Sequence, residues 1–221
     1  MPIGPDPLSI NKPRPRLRRI GILWAALIVI AIGGAMWLAR APLLQGAASL
    51  WIVSDPLEPA DVVAIFGGGL DVRPFAAAKY FHEGLVKKIL ISNVRPGPAE
   101  RIGAVMSHVE VTRHVLLKLN VPEAAIDVFG VGNTNTRDEA TSLAEWAKRN
   151  NAHSVIVPTE IFSARRVRWI VRHAFAGTDT NVQIQALDST DFNRRDWWGF
   201  EAGVVAFQNE VIKYIYYRIK Y

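Results

Sequence analysis

Asp61-Val62-Val63-Ala64-Ile65-Phe66-Gly67-Gly68-Gly69 is the stretch whose reading decides the fold. An apolar, largely β-branched run closed by glycines reads as a strand buried on both faces, because a half-exposed strand would alternate polar and apolar positions. After the glycines, Arg73 to Glu83 has helical spacing, with Ala76, Ala77, Tyr80 and Phe81 on the inner face and Gly84 as the stop. The same unit recurs down the chain. Lys88 to Ser92 is a second strand, followed by a loop holding Pro96 and Pro98. A single helix is expected over 101–119, with Val105, Val109, Val115 and Leu116 inward and Pro122 beyond its end. Ala125 to Phe129 is a third strand. Thr136 then opens a helix in which Thr136 and Glu139 have capping-box spacing and Leu143, Trp146 and Ala147 form the apolar stripe. Ser154 to Val157 is a fourth strand, Ser163 to Phe175 an arginine-rich helix, Val182 to Leu187 a fifth strand, and Trp197 to Lys220 a last, long helix. Strands apolar throughout and alternating with helices predict an α/β fold: a Rossmann-like parallel sheet of about five strands with helices on both faces.

Upstream of this domain, Ile20 to Leu38 carries no charge, and Lys12, Arg14, Arg16, Arg18 and Arg19 stand directly before it. At about 1.5 Å per residue such a run just crosses a hydrocarbon core of about 30 Å. Trp24 and Trp37 lie near its ends, where indole rings favour the interface. The chain therefore divides into a basic disordered cytoplasmic tail (1–19), a transmembrane signal anchor (20–39), a connector (40–59) and an α/β domain (60–221). The charge asymmetry predicts a single pass through the inner (plasma) membrane, with everything from about Pro42 onward extracytoplasmic, that is, periplasmic. A cleaved signal peptide stays open as the alternative, since Ala39-Arg40-Ala41 imitates a small-x-small cleavage site. Either way the remaining chain reaches the same compartment.

The net charge of +6 does not point to nucleic acid. Residues 1–19 hold five bases and one acid, so most of the excess is a topology signal, with some attraction for anionic lipid headgroups. There is no cysteine, so the domain has no disulfide staple and no thiol nucleophile, and no G-x-S-x-G elbow is present. His108, Glu110 and His114 lack zinc-ligand spacing, and no metal site is expected; no cofactor is indicated.

Ligands of parallel sheets bind beyond the carboxyl ends of the strands, so the loops there are the candidates. In the first, Gly67, Gly68 and Gly69 would bring backbone donors close to a ligand and Arg73 could clamp a phosphate or carboxylate. The alternative is a tight turn with Asp71 and Arg73 paired locally. In the second, Asn133, Asn135, Thr136, Arg137 and Asp138 offer groups that read sugar or phosphate oxygens, although Asn and Thr also favour turns and caps. The third holds Thr159 and Ser163, then Arg165, Arg166 and Arg168. Cations in the first turns of a helix oppose its dipole, which favours a nearby anionic ligand unless they face water or pair with Glu160. The end of the last helix, Val211 to Tyr221, mixes apolar, aromatic and basic residues. It suits a membrane interface, or it is the fringe of a face docked through Val204, Val205, Phe207, Val211 and Ile215.

The ordered set of these loops resembles the YdcF-like domain family, a family of unknown activity that includes bacterial envelope proteins of the SanA and ElyC type. The resemblance runs from about Asp61 to the end of the chain. It rests on D-V-V-A-I-F-G-G-G, Arg73 with the Ala-rich helix and Tyr80, Gly84, Ser92, Glu110, Asn120-Val121-Pro122, Asn135-Thr136 and Arg165. Two positions depart from the pattern: Asp138-Glu139 stands where the family often has Glu-Asn, and Phe162 where it often has His. The resemblance implies a Rossmann-like domain on one membrane anchor, engaged in envelope integrity, peptidoglycan or lipid-carrier metabolism. On this reading Gly67, Gly68, Gly69, Arg73, Asn135, Thr136, Asp138, Thr159, Ser163 and Arg165 bind an anionic, phosphate- or sugar-containing ligand such as a lipid-linked envelope precursor. Glu110 is the base if there is catalysis. The rival expectations are a nucleotide or S-adenosylmethionine binder and a non-catalytic scaffold of a cell-wall machine.

Overall fold

The computed structural model describes residues 15–221, with side chains from Ile20 onward. Of the basic tail expected at 1–19, only the backbone of residues 15–19 is described, and it is helical rather than disordered; the rest of the tail and its basic side chains lie outside the described residues. The chain divides into two compact units, residues 1–44 and 45–221.

The first unit contains α1 (Pro15–Leu38) and the start of α2 (Arg40–Trp51). Every side chain from Ile20 to Leu38 is exposed, and this segment is long and apolar enough to cross a membrane.

The second unit is built on β1 (Val62–Ile65), β2 (Lys88–Val94), β3 (Ile126–Asn133), β4 (Ser154–Glu160) and β5 (Asn181–Leu187), all parallel in the order β3-β2-β1-β4-β5. The helices are α3 (Arg73–His82), the single turn α4 (Pro98–Arg101), α5 (His108–Lys118), α6 (Thr136–Arg149), α7 (Ala164–Ala174) and α8 (Glu201–Lys220). The run that decided the fold is the central strand, and all four of its residues are buried. Its side chains alternate between two cores. Val63 and Ile65 pack with Ala77 and Ala78 of α3 and Leu116 of α5. Val62 and Ala64 pack with Leu143 of α6 and Val167 and Ile170 of α7. Apolar residues at every position of β1 are thus explained by two covered faces.

Four expectations about elements need correction. The helix expected over 101–119 is broken: Ser107 starts α5 afresh with Glu110 in a capping box, Gly103 takes φ 72°, and Val105 is exposed rather than inward. The third and fourth strands are longer than their apolar runs, so Pro158, Thr159 and Glu160 belong to β4 and not to a loop. The pairs between β1 and β4 end at Val63 and Ile156, so Pro158 lies past the point where a missing N–H would interrupt that ladder. Asn135, not Thr136, caps α6, its side-chain oxygen accepting from the amides of Arg137 and Asp138. Finally, α8 docks through Gly203, Phe207, Glu210, Tyr214 and Tyr217, while Val205 and Ile215 face outward.

Gly203 shows how closely α8 is seated. A Cβ there would press on the carbonyl oxygen of Trp197 and lie 2.9 Å from its carbon. Gly203→Ala should therefore destabilise the domain by about 1–3 kcal/mol, despite the gain in helix propensity of about 1 kcal/mol. Gly199→Ala, where the added Cβ meets nothing within 4 Å, should leave stability near wild type; equal denaturant midpoints for the two variants would sink this account of the packing.

Candidate functional site at the β1–β4 crevice

The strand order creates one place where connections diverge. After β1 the chain turns to α3 on one face of the sheet, and after the neighbouring β4 it turns to α7 on the other. A crevice opens between such strands at their carboxyl ends, and open α/β sheets place ligands there.

Arg73 spans this crevice. Its Nη1 donates to the carbonyls of Phe66 (3.1 Å) and Gly67 (2.8 Å), and its Nη2 to Glu160 Oε2 (2.5 Å) and Thr159 Oγ1 (3.4 Å). Its Nε is buried and has no acceptor among the described residues. The glycines make this possible. A Cβ at Gly69 would lie 2.6 Å from that Nε and would collide with Glu160 Oε1, and Gly69 also has φ 60°. Gly68, with φ 86°, is exposed, and a Cβ there meets nothing within 4 Å. The amides of Gly68, Gly69, Leu70 and Asp71 donate to no protein acceptor among the described residues. Four successive free donors beside a buried guanidinium form a surface suited to an oxyanion.

A second carboxyl approaches from the other face. Glu139, on the first turn of α6, is buried and accepts from the Gly67 amide at 2.5 Å. The capping-box reading of Glu139 is therefore corrected: its side chain reaches a different strand's loop. Burial pushes the Glu139 carboxyl above its ordinary value, outweighing the Gly67 amide, Ser92 and the charges of Arg73 and Arg166. Burial also pushes Glu160 up, but the Arg73 charge and hydrogen bond outweigh it and hold Glu160 below the usual range. Two carboxyls beside one glycine loop are thus pushed in opposite directions, Glu139 upward and Glu160 downward, the kind of arrangement from which an acid and a base are drawn. His108, at the start of α5, has a buried Nε2 without a partner among the described residues. Burial and then the Arg73 charge push its imidazole below the ordinary histidine range, against a smaller opposing pull from Glu100.

The other expected residues go elsewhere. Arg165 donates from Nε to the Trp51 carbonyl at 2.9 Å and from Nη2 to the Leu50 carbonyl. It closes the C-terminus of α2 and is not at the crevice. Arg166 is buried in a two-pronged pair with Glu210 (2.6 and 3.1 Å) and donates to Thr136 Oγ1 at 2.9 Å. Arg168 pairs with Asp55 at 2.6 Å. The groups that settle these arginines, two carboxylates and the carbonyls ending α2, are the protein's own, which corrects the inference of a ligand from their position. Glu110 is exposed, its carboxylate accepting from the Ser107 amide at 2.7 Å. Hydrogen bonds from the Ser107 backbone and hydroxyl hold its carboxyl low, so it caps a helix instead of standing at the crevice as a base. Asp138 accepts from the hydroxyl and amide of Thr134 at 2.5 and 3.0 Å, and the hydroxyl above all keeps it ionised. Asn135 and Thr136 are occupied by the cap and by Arg166. Ser163 lines a cleft of about 280 Å³ with Glu160, Phe162, Phe192 and Lys213.

The structure therefore brings together Gly67, Gly68, Gly69, Arg73 and Thr159 of the expected set. Sequence reading missed Glu139, Glu160 and His108. The signal available for Glu139 was its place one turn into α6 on the same face as Leu143. The Phe162 position is a core aromatic, stacked on Phe192 at 5.6 Å, with its carbonyl accepting from Trp51 Nε1. Among the described residues no cluster of His, Asp or Glu is arranged to hold a metal ion. Scanned against protein-family models and against curated proteins, the chain gives no match.

The raised Glu139 carboxyl has a thermodynamic consequence. The unfolded chain releases that proton at lower pH than the folded one, so this group costs stability as pH rises from the ordinary carboxylate range through the raised value. Glu139→Gln keeps an acceptor for the Gly67 amide and removes the loss. The variant's stability relative to wild type should increase as pH rises above the ordinary carboxylate range, measured by urea unfolding; a pH-independent difference would overturn the assignment.

Proposed function

We propose that this chain is a membrane-anchored, extracytoplasmic protein of cell-envelope biogenesis or integrity, of the YdcF-like SanA/ElyC type. Its β1–β4 crevice binds an anionic, phosphate-containing group, as carried by a lipid-linked precursor. The observation that carries the reading is the run of free amides from Gly68 to Asp71 beside Arg73 at the crevice. A helix of membrane-crossing length in the same chain supports a ligand presented at a bilayer. The orientation, with the N-terminus cytoplasmic and the domain in the periplasm of the inner membrane, follows from the basic residues before Ile20.

The oppositely poised Glu139 and Glu160 favour a second reading, in which the protein turns its ligand over by phosphoester hydrolysis or group transfer. An attacking water, or an acceptor hydroxyl in transfer, would form the new P–O bond as the ester P–O bond breaks; Glu139 would give its proton to the leaving oxygen and be reprotonated by the proton the attacking oxygen sheds, while Glu160 would hold Arg73 in place. Glu110 has no part in this version.

The test uses the full chain in detergent and a polyprenyl phosphate as the probe, with affinity read by calorimetry. Gly68→Ala adds a methyl that meets nothing within 4 Å beside the free amides and should weaken binding at least about tenfold, or about 1.4 kcal/mol; because Gly68 has φ 86°, the alanine should also lower stability by about 1–2 kcal/mol while leaving the domain folded. Wild-type affinity in this variant, or no binding by wild type, would refute the site. Protease treatment of spheroplasts should degrade the domain; protection would refute the orientation.

A further inference from the structure

Helix α8 is apolar on two opposite sides. Its inner side is the docked one already described. Its outer side carries Ile212, Ile215, Tyr216 and Ile219, which are 66%, 51%, 50% and 82% exposed. At about 100° per residue these four fall within an arc of about 100°, centred opposite Gly203 and Glu210. Val205, 46% exposed, continues the same line two turns earlier. Soluble helices turn polar residues to water on this side, and three outward isoleucines on one stripe mark a surface that something covers.

The flanks say what covers it. Lys213 and Lys220 border the stripe on one side and Arg218 on the other, and the chain from Val211 to Tyr221 contains no acid. The Lys220 ammonium lies 2.6 Å from Tyr216 Oη and over the rings of Tyr216 and Tyr221 at 5.1 and 5.3 Å. Isoleucines bordered by tyrosines and long basic side chains match the layered chemistry of a bilayer surface, with apolar groups at the acyl boundary and amphipathic rings and cations at the headgroups. The same chain carries Ile20–Leu38, a helix fit to cross a membrane, so a bilayer is within reach of the domain.

We propose that the outer face of α8 is a second, peripheral membrane contact: the Ile212–Ile219 stripe lies in the interface of a bilayer containing anionic lipid, with Arg218 and Lys220 on the headgroup phosphates, while Lys213 stays paired with Glu210 at 3.1 Å. This rests on the reading of α1 as a membrane span and is independent of any ligand at the crevice. It gives the domain a fixed face toward the lipid in addition to its tether.

The absence of cysteine from the chain permits clean single-site labelling. Ile219→Cys, Ile28→Cys in α1, and Lys79→Cys on α3, which covers the other face of the sheet, would each carry a fluorophore in the full chain. The proteins are reconstituted in vesicles of phosphatidylcholine with phosphatidylglycerol, some of the lipid bearing a nitroxide. Position 219 should be quenched by the lipid nitroxide at least about threefold more than position 79, and position 28 should be quenched as well. Quenching at 219 should fall in vesicles of phosphatidylcholine alone; an unchanged value would overturn the role of the basic flanks. Quenching at 28 without quenching at 219 would overturn the contact and leave the anchor standing. Absence of quenching at both would remove the anchor and the contact together. A label at 219 shielded from both lipid-borne and water-soluble quencher would mean that protein covers the stripe, which also overturns the proposal.

Discussion

Everything at the crevice depends on where the Arg73 guanidinium sits. It comes from the first turn of α3, returns to the carbonyls at the end of β1, and crosses to the side chains at the end of β4. A buried cation is tolerable only when most of its donors are met, and here two carbonyls, a hydroxyl and a carboxylate meet the two terminal nitrogens, leaving Nε without a protein acceptor among the described residues. The same contacts fix the path of the glycine loop, because the Gly67 carbonyl turned toward Arg73 leaves the Gly67 amide to Glu139 on the opposite side. One side chain thereby sets the geometry of the loop, ionises Glu160 and influences the titration of His108.

The arginines of α7 illustrate a different use of charge. Three cations near a helix N-terminus oppose its dipole, yet each is answered within the domain: Arg165 by the carbonyls ending α2, Arg166 by Glu210 of α8, Arg168 by Asp55 before β1. These partners lie 44 residues or more away in sequence for Arg165 and Arg166. The helix thus acts as a junction that ties the connector and the last helix to the sheet.

The sheet was legible because burial on two faces leaves a mark at every position of a strand. Val62 to Ile65 and Ile89 to Ile91 can be read in isolation. The carboxyl ends of β3 and β4 were not, since Gly132, Asn133, Thr159 and Glu160 are polar or small, and the side-chain partners of the last three, Ser92 and Arg73, are distant in sequence. The break before α5 was hidden because Ile102, Val105 and Met106 carry an apolar pattern that the fold leaves exposed. At the site, the glycines and Arg73 announced themselves through local chemistry. Glu139 and Glu160 did not, because what distinguishes them is desolvation and a partner 72 or 87 residues distant. Arg165 and Glu110 misled for the converse reason: helix ends consume charged side chains that look free in one dimension.

The end of α2 has a mechanical meaning. Trp51 is held by its indole N–H on the Phe162 carbonyl and by edge contacts to Phe207 and Tyr214, while its own carbonyl is held by Arg165. The connector thus enters the α/β body at the residue pair just beyond Glu160. Tension arriving along the connector is delivered at Trp51 to the segment that follows β4 and to α8, and at Asp55 to β5. A pull on the connector and an occupant of the crevice would therefore strain the same few residues.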